Sequence, residues 1–92
     1  MQLRWTTAAA DDLEGIAEYP FEKSPQNAAQ LIRKIYEAPD ILKSYPNLGR
    51  PGKKEGTREL VIAPLPYIVV YQIRDDTLYI VRILHGAQDW PR

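Results

Sequence analysis

Ninety-two residues with no cysteine and a formal charge of zero, twelve basic against twelve acidic side chains, already exclude a good deal. A chain this short makes one domain, 1–92, with a modest core and no space for an enclosed catalytic cavity beside it. The missing thiols exclude disulfides and thiolate metal sites, and the charge balance argues against the basic surplus that non-specific nucleic-acid binding requires.

Gln2-Leu3-Arg4-Trp5-Thr6 alternates polar and apolar residues and reads as a short strand. Thr6 or Thr7 caps the helix that follows. Asp11, Asp12 and Glu14 fall near its positive end, and Ala9, Leu13, Ile16 and Ala17 repeat at three and four to give one buried stripe. Pro20 ends or kinks this helix. Ser24-Pro25, serine as cap and proline at the first helical position, starts a second one. Its apolar face runs through Ala28, Leu31, Ile32, Ile35 and Leu42, and Pro39 inside that pattern predicts a kink or two short helices ending by Tyr45-Pro46. The two helices form an antiparallel hairpin.

Leu48 to Gly56 is rich in turn formers and basic groups, hence a loop. Thr57 to Ile62 reads as a strand, and Ala63-Pro64-Leu65-Pro66 as a turn. Two β-branched and aromatic runs, Tyr67 to Arg74 and Leu78 to His85, then flank Asp75-Asp76-Thr77 as a β-hairpin. The tail from Ala87 to Arg92 is irregular. The order β-α-α-β-β-β predicts an α+β fold in which a helical hairpin packs on one face of a small, mainly antiparallel, four-stranded sheet.

Residues 1–40 hold four basic and seven acidic side chains and residues 41–92 eight and five, so a positive field is expected on one side only. No apolar run approaches the ~20 residues of a membrane span, and Met1-Gln2-Leu3-Arg4-Trp5 lacks the apolar stretch of a secretory signal. The expectation is a cytoplasmic protein with no membrane partner.

The candidate functional residues lie in the second half. Arg82 stands in mid-strand, where a charge is costly unless paired, solvated or used. It suits a phosphate or a partner carboxylate, or its stem could cover open sheet. His85, the chain's one histidine, is either an acid or base near neutral pH or a hydrogen-bonded residue closing the sheet end. By period two Arg82 and His85 point to opposite faces unless a bulge intervenes, which argues against a joint dyad. Arg50, Lys53, Lys54 and Arg58 cluster four cations on and beside the glycine-rich loop; this is a phosphate-attracting group or merely solvated surface, diluted by Glu55 and Glu59. Leu78, Ile80 and Leu84 share a face with Arg82 by the same parity and are expected to form an apolar patch for a partner on the open side of the sheet. Tyr67 and Tyr71 share a face as core or interface anchors. No paired carboxylates, phosphate loop, dinucleotide fingerprint or metal-ligand cluster is present, so no cofactor and no metal are expected.

With these residues in view, the chain resembles the RelE/ParE superfamily of toxins from type II toxin–antitoxin modules over nearly its whole length. The resemblance rests on Asp11-Asp12-Leu13-Glu14 with Ile16, Leu48-Gly49-Arg50-Pro51, Thr57-Arg58-Glu59-Leu60, Tyr67-Ile68-Val69-Val70-Tyr71 and Val81-Arg82-Ile83-Leu84-His85-Gly86, in that order and spacing. It implies the same β-α-α-β-β-β fold and a growth-inhibiting toxin neutralised by a cognate antitoxin. Within the superfamily, RelE-like members cleave mRNA on the ribosome with basic residues and a late tyrosine or histidine. ParE-like members poison DNA gyrase without that set.

Departures from the nuclease pattern favour the ParE-like branch. Ile68 stands where nucleases carry an arginine, and Ala87, Gln88, Asp89 and Trp90 stand where they place basic residues and a tyrosine. The first reading is therefore a non-catalytic gyrase poison. Its target would be met by Arg50, Lys53, Lys54, Arg58 and Arg82, and its antitoxin by Leu78, Ile80, Arg82 and Leu84. The second is an mRNA endoribonuclease acting with the ribosome, in which Arg58, Arg82 and His85 would be catalytic. A third is a degenerate, non-toxic antitoxin-binding protein, suggested by Pro20 and Pro39 where relatives continue the helix.

Overall fold

The computed structural model describes residues 1–21, 25–86 and 90–91. Strand β1 (Gln2–Trp5) leads into helix α1 (Thr7–Phe21), which is followed by α2 (Pro25–Glu37) and a 3-10 turn of helix over Ala38–Lys43. Four strands complete the chain: β2 (Arg50–Pro51), β3 (Arg58–Val61), β4 (Tyr67–Arg74) and β5 (Thr77–His85). They form one five-stranded sheet in the order β1-β5-β4-β3-β2, with β1 parallel to β5 and the other pairs antiparallel. The α+β architecture and the β-hairpin agree with expectation. The fifth strand does not: Arg50 and Pro51 pair with Glu59 and Arg58, a two-residue edge strand too short and too glycine-flanked to read in the sequence.

Local chemistry explains most boundaries. Thr6 starts α1: its Oγ1 accepts the Ala9 N–H at 3.2 Å and donates to the Ile80 carbonyl at 2.8 Å, so the same hydroxyl caps the helix and ties it to β5. Asp11, Asp12 and Glu14 lie beyond the first turn of α1, too far along to serve as dipole partners, and Asp12 has a different role. The helix carries on through Pro20 to Phe21, while the expected Ser24 cap of α2 and the tail at 87–89 and 92 lie outside the described residues. Pro39 ends α2 as an α-helix but does not disrupt the segment. It sits fully buried at the start of the 3-10 turns, where its missing N–H is not needed. Asp75, at φ 54°, makes the tight two-residue turn between β4 and β5, a conformation that aspartate tolerates better than most residues.

Ala9 of α1, Ile35 of α2 and Leu42 of the 3-10 segment meet Val69, Tyr71, Leu78, Ile80 and Ile83 of the sheet in one core. Leu3, Trp5, Leu13, Ile16, Leu31, Leu60, Ile62, Tyr67 and Ile73 pack around its margin. Both helices therefore cover the same face. Full burial of each large aliphatic side chain contributes about 1.5–3 kcal/mol, so this cluster supplies most of the driving force for the fold.

Candidate functional site

A β-bulge decides where the residues of β5 point. Tyr71 pairs with Ile80 but Val70 pairs with Arg82, which leaves Val81 unmatched. Up to Ile80 the even-numbered residues face the helices; after the bulge Ile83 takes over that side, paired with core residue Val69. The expected apolar patch is thereby corrected. Leu78 and Ile80 are completely buried under the helices, and Leu84, on the other face by parity, is still only 5% exposed. These three residues present no open surface to a partner.

Arg82 is paired, and its partner is Asp12 of α1. Arg82 Nε donates to Asp12 Oδ2 at 2.6 Å and Nη2 to Oδ1 at 3.0 Å, a two-pronged ion pair, while the Ile83 N–H donates to Oδ2 at 2.9 Å. The cause is topological. β1 stops at Trp5, opposite Ile80, so beyond that point β5 has no strand on its outer edge. Asp12 takes the place of the missing strand for one N–H and neutralises the neighbouring cation with the same carboxylate. The hydrogen bond that Arg82 donates to Asp12 raises its pKa above the ordinary value; burial opposes the shift and the attraction of the carboxylate charge adds to it. This guanidinium stays charged and largely occupied. The sequence offered a signal: Asp12 falls on the stripe of Ala9, Leu13 and Ile16, where a carboxylate needs a cation.

Arg58 is also engaged within the molecule. Its Nη1 donates to the Gly49 carbonyl at 2.6 Å and to that of Asn47 at 3.4 Å, gripping the segment that leads into β2. Tyr71 holds the same segment from the core: its hydroxyl donates to the Pro46 carbonyl at 2.7 Å and accepts the Gly49 N–H at 2.9 Å. Gly49 is buried between them, and a Cβ there would lie 2.7 Å from the Tyr71 ring and 2.8 Å from the Glu59 carbonyl. The Leu48-Gly49-Arg50-Pro51 motif is therefore a docking seam of the fold. Arg50, exposed, forms an ion pair with the nearly buried Glu59 at 3.0 Å, whereas Lys53 and Lys54 extend from the β2–β3 turn into solvent.

His85 ends β5 at the edge of α1. It pairs in register with Tyr67, and the two rings meet edge to face with centroids 5.7 Å apart. It lines a shallow depression with Asp11, Asp12 and Gly15 of α1 and Ile83 of β5, and Asp12 is the carboxylate that holds Arg82. Arg58 pairs instead with Tyr71, four residues along β4 from Tyr67, a displacement of about 13 Å. The structure thus brings Arg50 and Arg58 together at the loop, places Arg82 against α1 and leaves His85 beside acids. In-line RNA cleavage needs a base, an acid and cations around one phosphate, and here the Arg58 and Arg82 guanidinium groups are both bonded within the fold. Among the described residues no group of three or more potential metal ligands is found, and no helix is long and apolar enough to cross a membrane.

Comparison with known proteins bears on this arrangement. The family model described as the ParE toxin of the type II toxin–antitoxin system, parDE, matches residues 3–90. A protein named "Putative toxin Y4kP" from Sinorhizobium fredii is 41% identical over 91 residues, covering 99% of this chain and 94% of the relative. Toxin RelE2 from Caulobacter vibrioides is 38% identical over 87 residues, covering 95% and 97%. Among solved structures, a chain of the chromosomal ParDE toxin–antitoxin system from P. aeruginosa superposes with a TM-score of 0.86 at 28% identity, covering 92% of this chain and 95% of the other.

Proposed function

Because this chain belongs to the ParE toxin family of type II toxin–antitoxin systems, we propose that it stops growth in the cytoplasm by poisoning DNA gyrase and is neutralised by its cognate antitoxin. The reading is a binding mechanism without bond chemistry of the toxin's own. The observation that carries it is that both candidate catalytic arginines are bonded within the fold. Arg82 is tied to Asp12, Arg58 to the carbonyls of residues 47 and 49, and His85 lies near Asp11. Both guanidinium groups are already bonded inside the fold, Arg82 to a carboxylate and Arg58 to loop carbonyls, which leaves little of either for a phosphodiester. Arg50, Lys53 and Lys54, by contrast, are exposed, and the segment just before them is anchored by Tyr71 and Arg58, which suits a contact surface.

Purified toxin incubated with gyrase and supercoiled plasmid is expected to trap cleaved plasmid. Primer extension on mRNA from induced cells is expected to show no codon-positioned cuts. The reverse pair of results would replace this reading with the ribosome-dependent endoribonuclease, in which case His85→Ala would abolish cutting. Full solubility with no growth defect would instead identify a degenerate antitoxin-binding protein. Against that last outcome, Pro39 is absorbed by the 3-10 turns with its side chain in the core.

A further inference from the structure

Ile41, Tyr45 and Leu48 are 49%, 63% and 53% exposed, three large apolar side chains on one eight-residue stretch. The stretch is not loose. The Tyr45 N–H bonds to the Ile41 carbonyl at 3.0 Å and the Leu48 N–H to the Tyr45 carbonyl at 3.1 Å, so each apolar residue is one backbone turn from the next. Tyr71 and Arg58 then clamp the carbonyls of Pro46, Asn47 and Gly49 from below. Gly49 joins this apolar run directly to Arg50, and Lys53 and Lys54 follow on the adjoining turn, where neither takes part in an ion pair among the described residues.

We propose that Ile41, Tyr45 and Leu48, with Arg50, Lys53 and Lys54 beside them, are the surface by which the toxin docks on its protein target, and that the target meets them with apolar side chains flanked by carboxylates. The inference rests on the binding mechanism proposed above and names the surface that performs it. The charges select the partner. The stretch from residue 40 to 59 carries five basic and three acidic side chains, and one of those acids, Glu59, is nearly buried beneath Arg50. A nucleic-acid backbone would satisfy the cations but offers nothing to three aliphatic and aromatic side chains, whereas an acidic protein surface satisfies both. Rigid anchoring lowers the ordering cost of binding, which is how a small contact of this kind reaches useful affinity. The groove between the helices, lined by Ala17, Ala28, Ala29, Ile32 and Tyr36, shares no residue with this surface.

Two variants test the idea. I41S/Y45S/L48S removes the apolar part and K53E/K54E reverses the charge; all five positions are exposed, so the fold should be unaffected, as checked by an unchanged Tm. Each is expected to lower growth inhibition by about tenfold or more, the loss typical of central contact residues, while still co-purifying with the tagged antitoxin. Growth inhibition equal to wild type would overturn the proposal. So would parallel loss of antitoxin capture, which would give the surface to the antitoxin, or a wild-type chain that never slows growth. Gyrase is judged separately: if wild type traps no cleaved plasmid yet both variants lose toxicity, the target is another protein and the docking surface stands.

Discussion

Asp12 serves two groups with one carboxylate, the Arg82 guanidinium and the Ile83 N–H. Removing it leaves a half-buried cation and an edge amide without their partner, so Asp12→Ala should cost about 2 kcal/mol, or a fall in Tm of about 10 °C for a domain of this size. Arg82→Ala frees the carboxylate instead and should cost a similar amount; the double variant should be less destabilised than the sum, which a double-mutant cycle by thermal denaturation would read. The sign of the pH dependence follows from the raised Arg82 pKa. A cation whose folded pKa is raised contributes stability that is lost only when pH climbs through it, above the ordinary arginine range, so the pair's contribution stays constant from neutral to mildly alkaline buffer. Gly49 illustrates a different constraint at this scale. Its neighbours are a buried ring and a strand carbonyl, neither free to give way, so Gly49→Ala should destabilise the fold by about 1–3 kcal/mol.

Between residues and the whole molecule, two elements set the surface. The bulge in β5 inverts the phase of the strand, so the core contacts of Leu78 and Ile80 pass to Ile83 and the strand ends with His85 over α1. The segment from Tyr45 to Gly49 belongs to no regular element, yet it is fastened by the hydroxyl of Tyr71 and the guanidinium of Arg58. Tyr71→Phe leaves the ring in the core but strands the Pro46 carbonyl and the Gly49 N–H, at about 1–3 kcal/mol. Its more telling effect should be local: amide exchange at Leu48 and Gly49 should accelerate well beyond the global change. If the docking surface depends on this anchoring, toxicity should fall with it while the β4–β5 hairpin keeps its protection.

At the scale of the whole molecule, a balanced net charge hides a division of labour. The acidic half supplies β1, the helices and Asp12; the basic half supplies the other four strands and the exposed loop. On the gyrase-binding proposal, trapping of cleaved plasmid by purified gyrase should weaken as ionic strength rises, because exposed cations such as Lys53 and Lys54 act through a screened field. A contact made by apolar groups alone would be nearly indifferent to salt, so the slope of the salt dependence measures how much of the docking the cations carry.

Periodicity and turn chemistry were enough to place both helices and the β-hairpin, because hydrophobic spacing reports which side of each element leaves water. The family resemblance was legible in the same way, from short motifs in fixed order. What the one-dimensional pattern could not carry was phase and partnership. Alternation grouped Leu78 and Ile80 with Leu84 but did not say which face the helices would cover, and a single unmatched residue, Val81, passed the helix-facing role from Ile80 to Ile83. Arg82 looked available because its counter-charge lies seventy residues away, on a helix that only the parallel docking of β1 on β5 brings alongside. Whether a charge is spent inside the fold or offered to a partner is settled by long-range geometry, and that geometry exists only once the chain has folded.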